Sequence, residues 1–198
     1  MQIYYLDGFY IDDLHGEEIP KKAVKITEEE YFLLLDGQSK GKQIMTDTKG
    51  YPRLVDPRPS KFHEFNGTSW VISKEKMTAL LAERKTHLLN VIANKTDNFK
   101  AQYLIGYSQA EIDSFYRQER EARNELPLML LTEIFEGRED LKSVEELKAK
   151  VIEKADLFAI IMGKLFAIKQ GFEKHIENAK TIEDLDNIEK EINKWQKL

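Results

Sequence analysis

The sequence predicts an α+β protein: a small N-terminal strand-rich module with one short helix, followed by a mainly α-helical C-terminal domain. Three observations carry this. Up to Ile72 the chain alternates short aromatic and β-branched runs with turn pairs such as Asp7-Gly8 and Asn66-Gly67. After Ile72 apolar residues recur every three or four positions, the helical period. Three segments in that second part, starting at Ser108, Ser143 and Thr181, set a hydroxyl three residues before a carboxylate, the spacing of a helix capping box. The expected divisions are a module over residues 1–60, a connecting hairpin over 61–72 and a helical domain over 73–198.

The elements follow in order. Gln2-Ile3-Tyr4-Tyr5-Leu6 and Phe9-Tyr10-Ile11 read as strands around Asp7-Gly8. Gly16 and Pro20 mark a loop. Thr27 caps a helix, with Glu30 reaching back, Tyr31, Leu34 and Leu35 on one face and Gly37 as the stop. Lys42 to Thr46 and Tyr51 to Val55 are strands around the turn Asp47 to Gly50. Asp56-Pro57-Arg58-Pro59-Ser60 is a stiff extended connector, because proline restricts itself and its predecessor. Phe62 to Phe65 and Ser69 to Ile72 flank Asn66-Gly67 as a hairpin.

Ser73 then caps a helix to about Leu104, with Met77, Leu80, Leu81, Leu88, Ile92 and Phe99 along its apolar stripe. Gly106 breaks it. The next helix, from Ser108, buries Ile112, Phe115 and Tyr116 and ends before Pro127. A short apolar segment, Leu128 to Phe135, closes at Gly137. The helix after Ser143 carries Leu147, Val151, Phe158, Ile161, Leu165, Ile168 and Phe172, interrupted by Lys154. The last helix, capped at Thr181, sets Leu185, Ile188, Ile192 and Trp195 on one side.

Composition narrows the function. The 198 residues carry 30 Lys and Arg against 35 Asp and Glu, a formal charge of −5. Residues 1–72 hold 9 basic and 12 acidic side chains and the remainder 21 and 23, so neither part is a basic platform for nucleic acid. The chain has no cysteine, which excludes disulfides, thiolate nucleophiles, zinc knuckles and iron–sulfur ligation. The longest weakly charged apolar run, Ala155 to Ile168, falls short of a membrane span and contains Asp156 and Lys164. No secretory signal is visible at MQIYYLDGFY. The expectation is a soluble chain with no membrane insertion.

No catalytic constellation emerges. His63 and Glu64 are strand neighbours and point to opposite faces. His15, His87 and His175 lie in unrelated segments without metal-ligand spacing. Gly37-Gln38-Ser39-Lys40-Gly41-Lys42 lacks the spacing of a phosphate loop and sits after a helix rather than before one. The mixed charges of Gln109 to Glu125, Glu121 among them, read as a solvated, ion-paired helix face. The expectation is no enzyme, no metal and no cofactor.

Two features point to protein contacts. The Leu147–Phe172 seam has the near-3.5 period of helix-on-helix packing, either the core of an intramolecular bundle or a self-association or partner-binding seam. Phe158, Ile160, Ile161, Met162, Leu165 and Phe166 wrap nearly all round the helix, which predicts burial on more than one side. Tyr4, Tyr5, Tyr51, Trp70 and Tyr107 are candidate interface or sugar-stacking anchors; the alternative is the half-buried rim of a small domain.

Residues 1–60 resemble the N-terminal module of phage tail fibre assembly proteins. The resemblance rests on Ile19-Pro20, Ala23-Val24-Lys25-Ile26-Thr27-Glu28-Glu29-Glu30-Tyr31, Leu35-Asp36-Gly37-Gln38-Ser39-Lys40-Gly41-Lys42 and Asp47-Thr48-Lys49-Gly50-Tyr51-Pro52-Arg53-Leu54, followed by Asp56, Pro57 and Pro59. The second half is similar to a helical segment of phage and prophage tail proteins through Gly106 to Phe115, Gln118-Glu119, Glu121-Ala122, Pro127-Leu128, Lys150 to Asp156, Gly163-Lys164-Leu165 and Lys169 to Glu173. The resemblance implies a chaperone that binds the C-terminal tip of a trimeric tail fibre in the host cytoplasm, promotes its folding and trimerisation, and in some members stays on the virion. A structural fibre-tip component that contacts host-surface glycan is the alternative it leaves open.

Overall fold

The computed structural model describes residues 1–196. The chain forms two compact units, Met1–Leu80 and the part from Leu81 onward.

In the first unit, β1 (Ile3–Tyr5) is the centre of a three-stranded antiparallel sheet, between β2 (Phe9–Ile11) and β3 (Val24–Ile26). Its register pairs Tyr5 with Phe9 and with Val24, and Ile3 with Ile11 and with Ile26. Alternation along the strands puts Ile3, Tyr5 and Ile26 on the buried face. Between β2 and β3 lie a single helical turn, α1 (Asp12–His15), and a 3-10 turn at Gly16–Glu18. Neither β3 nor α1 is part of the sequence expectation; the alternation Val24-Lys25-Ile26 was the available signal for β3.

Helix α2 (Glu28–Ser39) starts on a complete capping box: Glu30 N–H donates to Thr27 Oγ1 at 3.1 Å, and Thr27 N–H donates to Glu30 Oε2 at 2.7 Å. Its Leu34 and Tyr31 close over the sheet residues, joined by Ile44 and Leu54 of a separate hairpin, β4 (Gln43–Thr46) and β5 (Pro52–Val55). Gly37 does not stop the helix. It is buried inside α2, where a Cβ would stand 2.3 Å from Leu54 Cδ1, so the missing side chain lets β5 approach the helix. The turn that ends α2 is made at Gly41, with φ of +88°.

The β4–β5 turn is organised by Asp47, whose carboxylate accepts from the N–H groups of Lys49 and Tyr51 and from Arg53 Nε. The Tyr51 and Lys49 amides hold the Asp47 carboxyl below its ordinary value against the opposing effect of burial, with Arg53 adding to them. The expected hairpin is present as β6 (Glu64–Phe65) and β7 (Trp70–Val71), joined through Asn66 to Ser69, where Asn66 N–H donates to the Ser69 carbonyl at 3.1 Å across Gly67-Thr68. Asn66 Oδ1 accepts from Thr68 N–H and Ser69 N–H across it.

In the second unit the bundle is arranged on a spine. Helix α3 (Lys74–Tyr103), in which the boundary between units falls, contributes Leu88, Ile92 and Phe99. Helix α4 (Gln109–Ala122) opens on a complete capping box between Ser108 and Glu111. Helix α5 (Leu130–Glu136) follows a turn in which Asn124 takes a positive φ of 63°. Helix α6 (Val144–Asn178) is the spine, 35 residues or about 52 Å long. Helix α7 (Ile182–Lys194) has a capping box in which Asp184 replaces the usual Glu.

The start of α6 packs Leu147, Val151 and Ile152 against Ala122 of α4 and Leu131, Ile134 and Phe135 of α5, with Leu141 between. Its middle sets Phe158, Ile161, Met162 and Leu165 against Phe99 and Trp195. Its end sets Ile176 against Leu88 and Ile92 of α3 and Leu185 and Ile192 of α7. The period-3.5 seam is therefore the intramolecular core. Trp195 is edge-on to Phe99 at 5.0 Å, and its buried indole N–H has no acceptor among the described residues.

Three details differ from expectation. Tyr116, expected on the buried face of α4, is 71 % exposed. Ser143 caps α6, but Glu146 turns its carboxylate to Lys142 N–H at 3.0 Å, so the reciprocal half of that box is made one residue early. Burial around the middle of α6 is one-sided: Leu157 and Ile160 are each 58 % exposed and Phe166 49 %. The core takes only one flank of this helix, because α3 and α7 both lie on the Phe158–Leu165 side.

Candidate functional site

The five aromatic candidates are distributed over both units. Tyr4 is half-buried in β1 and donates its hydroxyl to Gln2 Oε1 at 2.7 Å. Tyr5, its strand neighbour, points to the other face; it is 5 % exposed, tilted against Phe9 at 5.3 Å, and belongs to the core. Tyr51 stands at the mouth of the β4–β5 turn, 46 % exposed. Trp70 is half-buried, edge-on to Phe65 at 5.5 Å, and its Nε1–H donates to the Asp56 carbonyl at 2.8 Å. Its polar handle is thus used to fasten the proline-rich connector to β7. Tyr107, in the helical unit, is exposed and edge-on to Phe115 at 5.0 Å. No ring contact among the described residues joins Tyr4, Tyr51 and Trp70.

Sequence reasoning missed an apolar pair on the first unit. Phe32 and Leu33, adjacent on α2, are both well exposed. The signal was present, because the unbroken run Tyr31 to Leu35 is wider than the one face a helix can bury. The three-stranded sheet meanwhile ends in β2 on one side and β3 on the other. At the β2 edge the Ile11 N–H already donates to His15 Nδ1 at 2.9 Å, whereas β3 is marked only by Lys25. A free strand edge with an exposed tyrosine and an apolar pair on the same unit can recognise another protein's backbone and apolar side chains.

Among the described residues of the helical unit, one carboxylate is buried. Glu121 is fully buried, not on a solvated face. It accepts from the N–H groups of Met129, Leu130 and Leu131 at 3.1, 3.3 and 3.0 Å, and from Arg117 Nε at 2.8 Å. Burial raises its pKa, but the three amides and the guanidinium outweigh that and hold it below the ordinary value. Three of these four bonds serve the start of α5 and the fourth ties Arg117 of its own helix, which makes Glu121 a structural clamp.

Open grooves lie among the described residues of the helical unit. One, of about 300 Å³, lies between Ala93, Thr96 and Asp97 on α3 and Phe166, Lys169 and Glu173 on α6, where Lys169 and Glu173 pair with each other. Another, of about 520 Å³, is lined by Arg117 and Leu128 to Leu130. Among the described residues no group of three or more His, Asp or Glu side chains is placed to hold a metal ion, and no helix is long and apolar enough to cross a membrane.

A curated protein of Shigella phage SfV, named "Probable tail fiber assembly protein", is 40 % identical to this chain over 91 residues. The chain is related to a tail fibre assembly protein over that stretch. The match covers 46 % of this chain, and the chain spans about half the length of that relative, 50 %. The resemblance to tail fibre assembly proteins, read from residues 1–60, is thereby supported by a named relative. No family model matches the chain, and no solved structure matches it.

Proposed function

We propose that this protein is an assembly factor for a phage or prophage tail fibre: a chaperone that binds the fibre's distal, C-terminal tip in the host cytoplasm and assists its folding and trimerisation. The observation that carries the reading is the 40 % identity over 91 residues to a protein named for tail fibre assembly. The role needs a complementary surface and no catalytic group.

Physical chemistry supports the fit. Until three fibre chains have wound together, their strand edges and apolar faces are exposed and prone to aggregate. A binder that caps an edge strand and covers the adjoining apolar side chains blocks that route. The strand-rich unit offers the β3 edge, Tyr51, half-buried Tyr4 and Trp70, and the exposed pair Phe32 and Leu33. We assign the fibre contact to this unit, and to the helical unit, with Tyr107, a supporting role.

The test is co-expression with the C-terminal region of the fibre encoded nearest to this protein, followed by light scattering on the purified product. The expected result is soluble trimeric fibre only when both are present, in a complex of defined mass. Tyr51→Ala leaves the fold intact, because the ring is half exposed, and weakens the complex by about tenfold or more if the residue is an anchor. Fibre that folds and trimerises equally well alone overturns the reading. Recovery of this protein from purified virions, bound to host polysaccharide, would favour a permanent fibre-tip subunit instead.

A further inference from the structure

The outward side of α6 carries a second seam. Glu153, Leu157, Ile160, Lys164, Ala167, Gly171 and Lys174 follow one another at spacings of 4, 3, 4, 3, 4 and 3, and all seven are exposed. This is a heptad stripe about 32 Å long on a separate flank of the helix, roughly 120° round from Phe158, Leu165 and Phe172. From Leu157 to Gly171 it carries a single charge, Lys164. Apart from the adjoining residues and the helix's own backbone, no atom lies within 4 Å of where a Cβ would stand on Gly163 or Gly171, so the helix backbone is open to close approach there.

The stripe is complementary to itself in one orientation. Set antiparallel about Lys164, Leu157 faces Gly171 of a second copy, and Ile160 and Glu153 come within one residue of level with Ala167 and Lys174 along the same stripe. Large side chains meet small ones and an acid meets a base, twice over, as a two-fold interface requires. The parallel arrangement stacks Glu153 on Glu153 and Lys174 on Lys174 and leaves gaps at Ala167 and Gly171. Only Lys164 meets its own copy, and a lysine at a dyad can turn its ammonium out to water.

We propose that the protein is a homodimer held by antiparallel pairing of α6 along this stripe, independently of what the strand-rich unit binds.

Sedimentation velocity of the full chain across the micromolar range tests it. The wild type is expected at twice the chain mass. Ile160→Asp, at a position already exposed in the single chain, keeps its circular dichroism spectrum but raises the dissociation constant by about a hundredfold or more, since two carboxylates would enter one apolar interface. Glu153→Lys weakens the dimer and Glu153→Lys with Lys174→Glu restores it, a rescue that a structural defect would not give. Lys164→Leu tightens it. A wild type that stays monomeric, or a dimer indifferent to Ile160→Asp, overturns the proposal. So does loss of the co-expressed fibre complex on Ile160→Asp of a monomeric chain, which would assign this face to the fibre.

Discussion

Glu121→Ala is expected to destabilise the helical unit by about 3–5 kcal/mol, the usual cost of stripping one partner from a buried charge cluster. The substitution strands three N–H groups at the start of α5 and the Arg117 guanidinium. It also leaves a cavity beside Leu131, which is fully buried. Set against the roughly 5–15 kcal/mol that typically holds a domain together, the loss removes a fifth or more of the margin. The chain has two tryptophans, Trp70 in one unit and Trp195 in the other. In a Trp70→Phe background, denaturant unfolding followed by Trp195 fluorescence isolates the helical unit. A change below about 1 kcal/mol would mean that the clamp is dispensable, as an ordinary surface residue is.

The same clamp gives a pH dependence of determined sign. The folded Glu121 carboxyl titrates below the ordinary glutamate value of 4.5, so its contribution is fully present above that pH and fades as the pH falls through the folded pKa. Other carboxylates of the helical unit share the acid limb. Asp140 is lowered to about 2 by its hydrogen bond to Arg138, and Asp184 is held down by the amides of Lys180 and Thr181. The Glu121 part is therefore read as a difference: Glu121→Gln should be less stable than the wild type at neutral pH and lose less on acidification below 4.5.

What was legible in the sequence was local. A capping box needs only residues three apart, and the boxes at Thr27, Ser108 and Thr181 are present with both bonds made. The seam from Leu147 to Phe172 was legible because periodicity reports which flank of a helix is apolar. Periodicity does not report which of two apolar flanks finds a partner within the chain. Phe158 and Ile160 are both apolar and two residues apart, yet only Phe158 meets α3 and α7. Glu121 was hidden for a related reason, since its neighbours Glu119, Arg120 and Arg123 are charged and its three backbone donors lie 8 to 10 residues away, at the start of a different helix. β3 is three residues long and is a strand only because β1 lies beside it. Of the aromatic candidates, composition could single out Tyr4 and Tyr5 together, but only the register decides that Tyr5 faces inward.

Gly37→Leu is the second large effect, and its sign runs against helix propensity. In an exposed helix the exchange would gain about 1 kcal/mol, because leucine is a good helix former and glycine a poor one. In α2 the first atom of the new side chain would stand 2.3 Å from Leu54 Cδ1, 2.6 Å from Cδ2 and 3.0 Å from Cγ, before the rest of the leucine is placed. Overpacking of this kind costs about 3 kcal/mol at the upper end of its usual range, so a net loss of about 2 kcal/mol is expected in the strand-rich unit. Trp70 fluorescence in a Trp195→Phe background reads it. The decisive step is the exchange of volume between partners. Leu54→Ala alone opens a cavity over the helix, whereas Gly37→Leu with Leu54→Ala returns the side chain from the other side of the same contact. The double variant should be more stable than the sum of the two single losses predicts. Strict additivity would show that β5 does not owe its position on α2 to the missing Cβ.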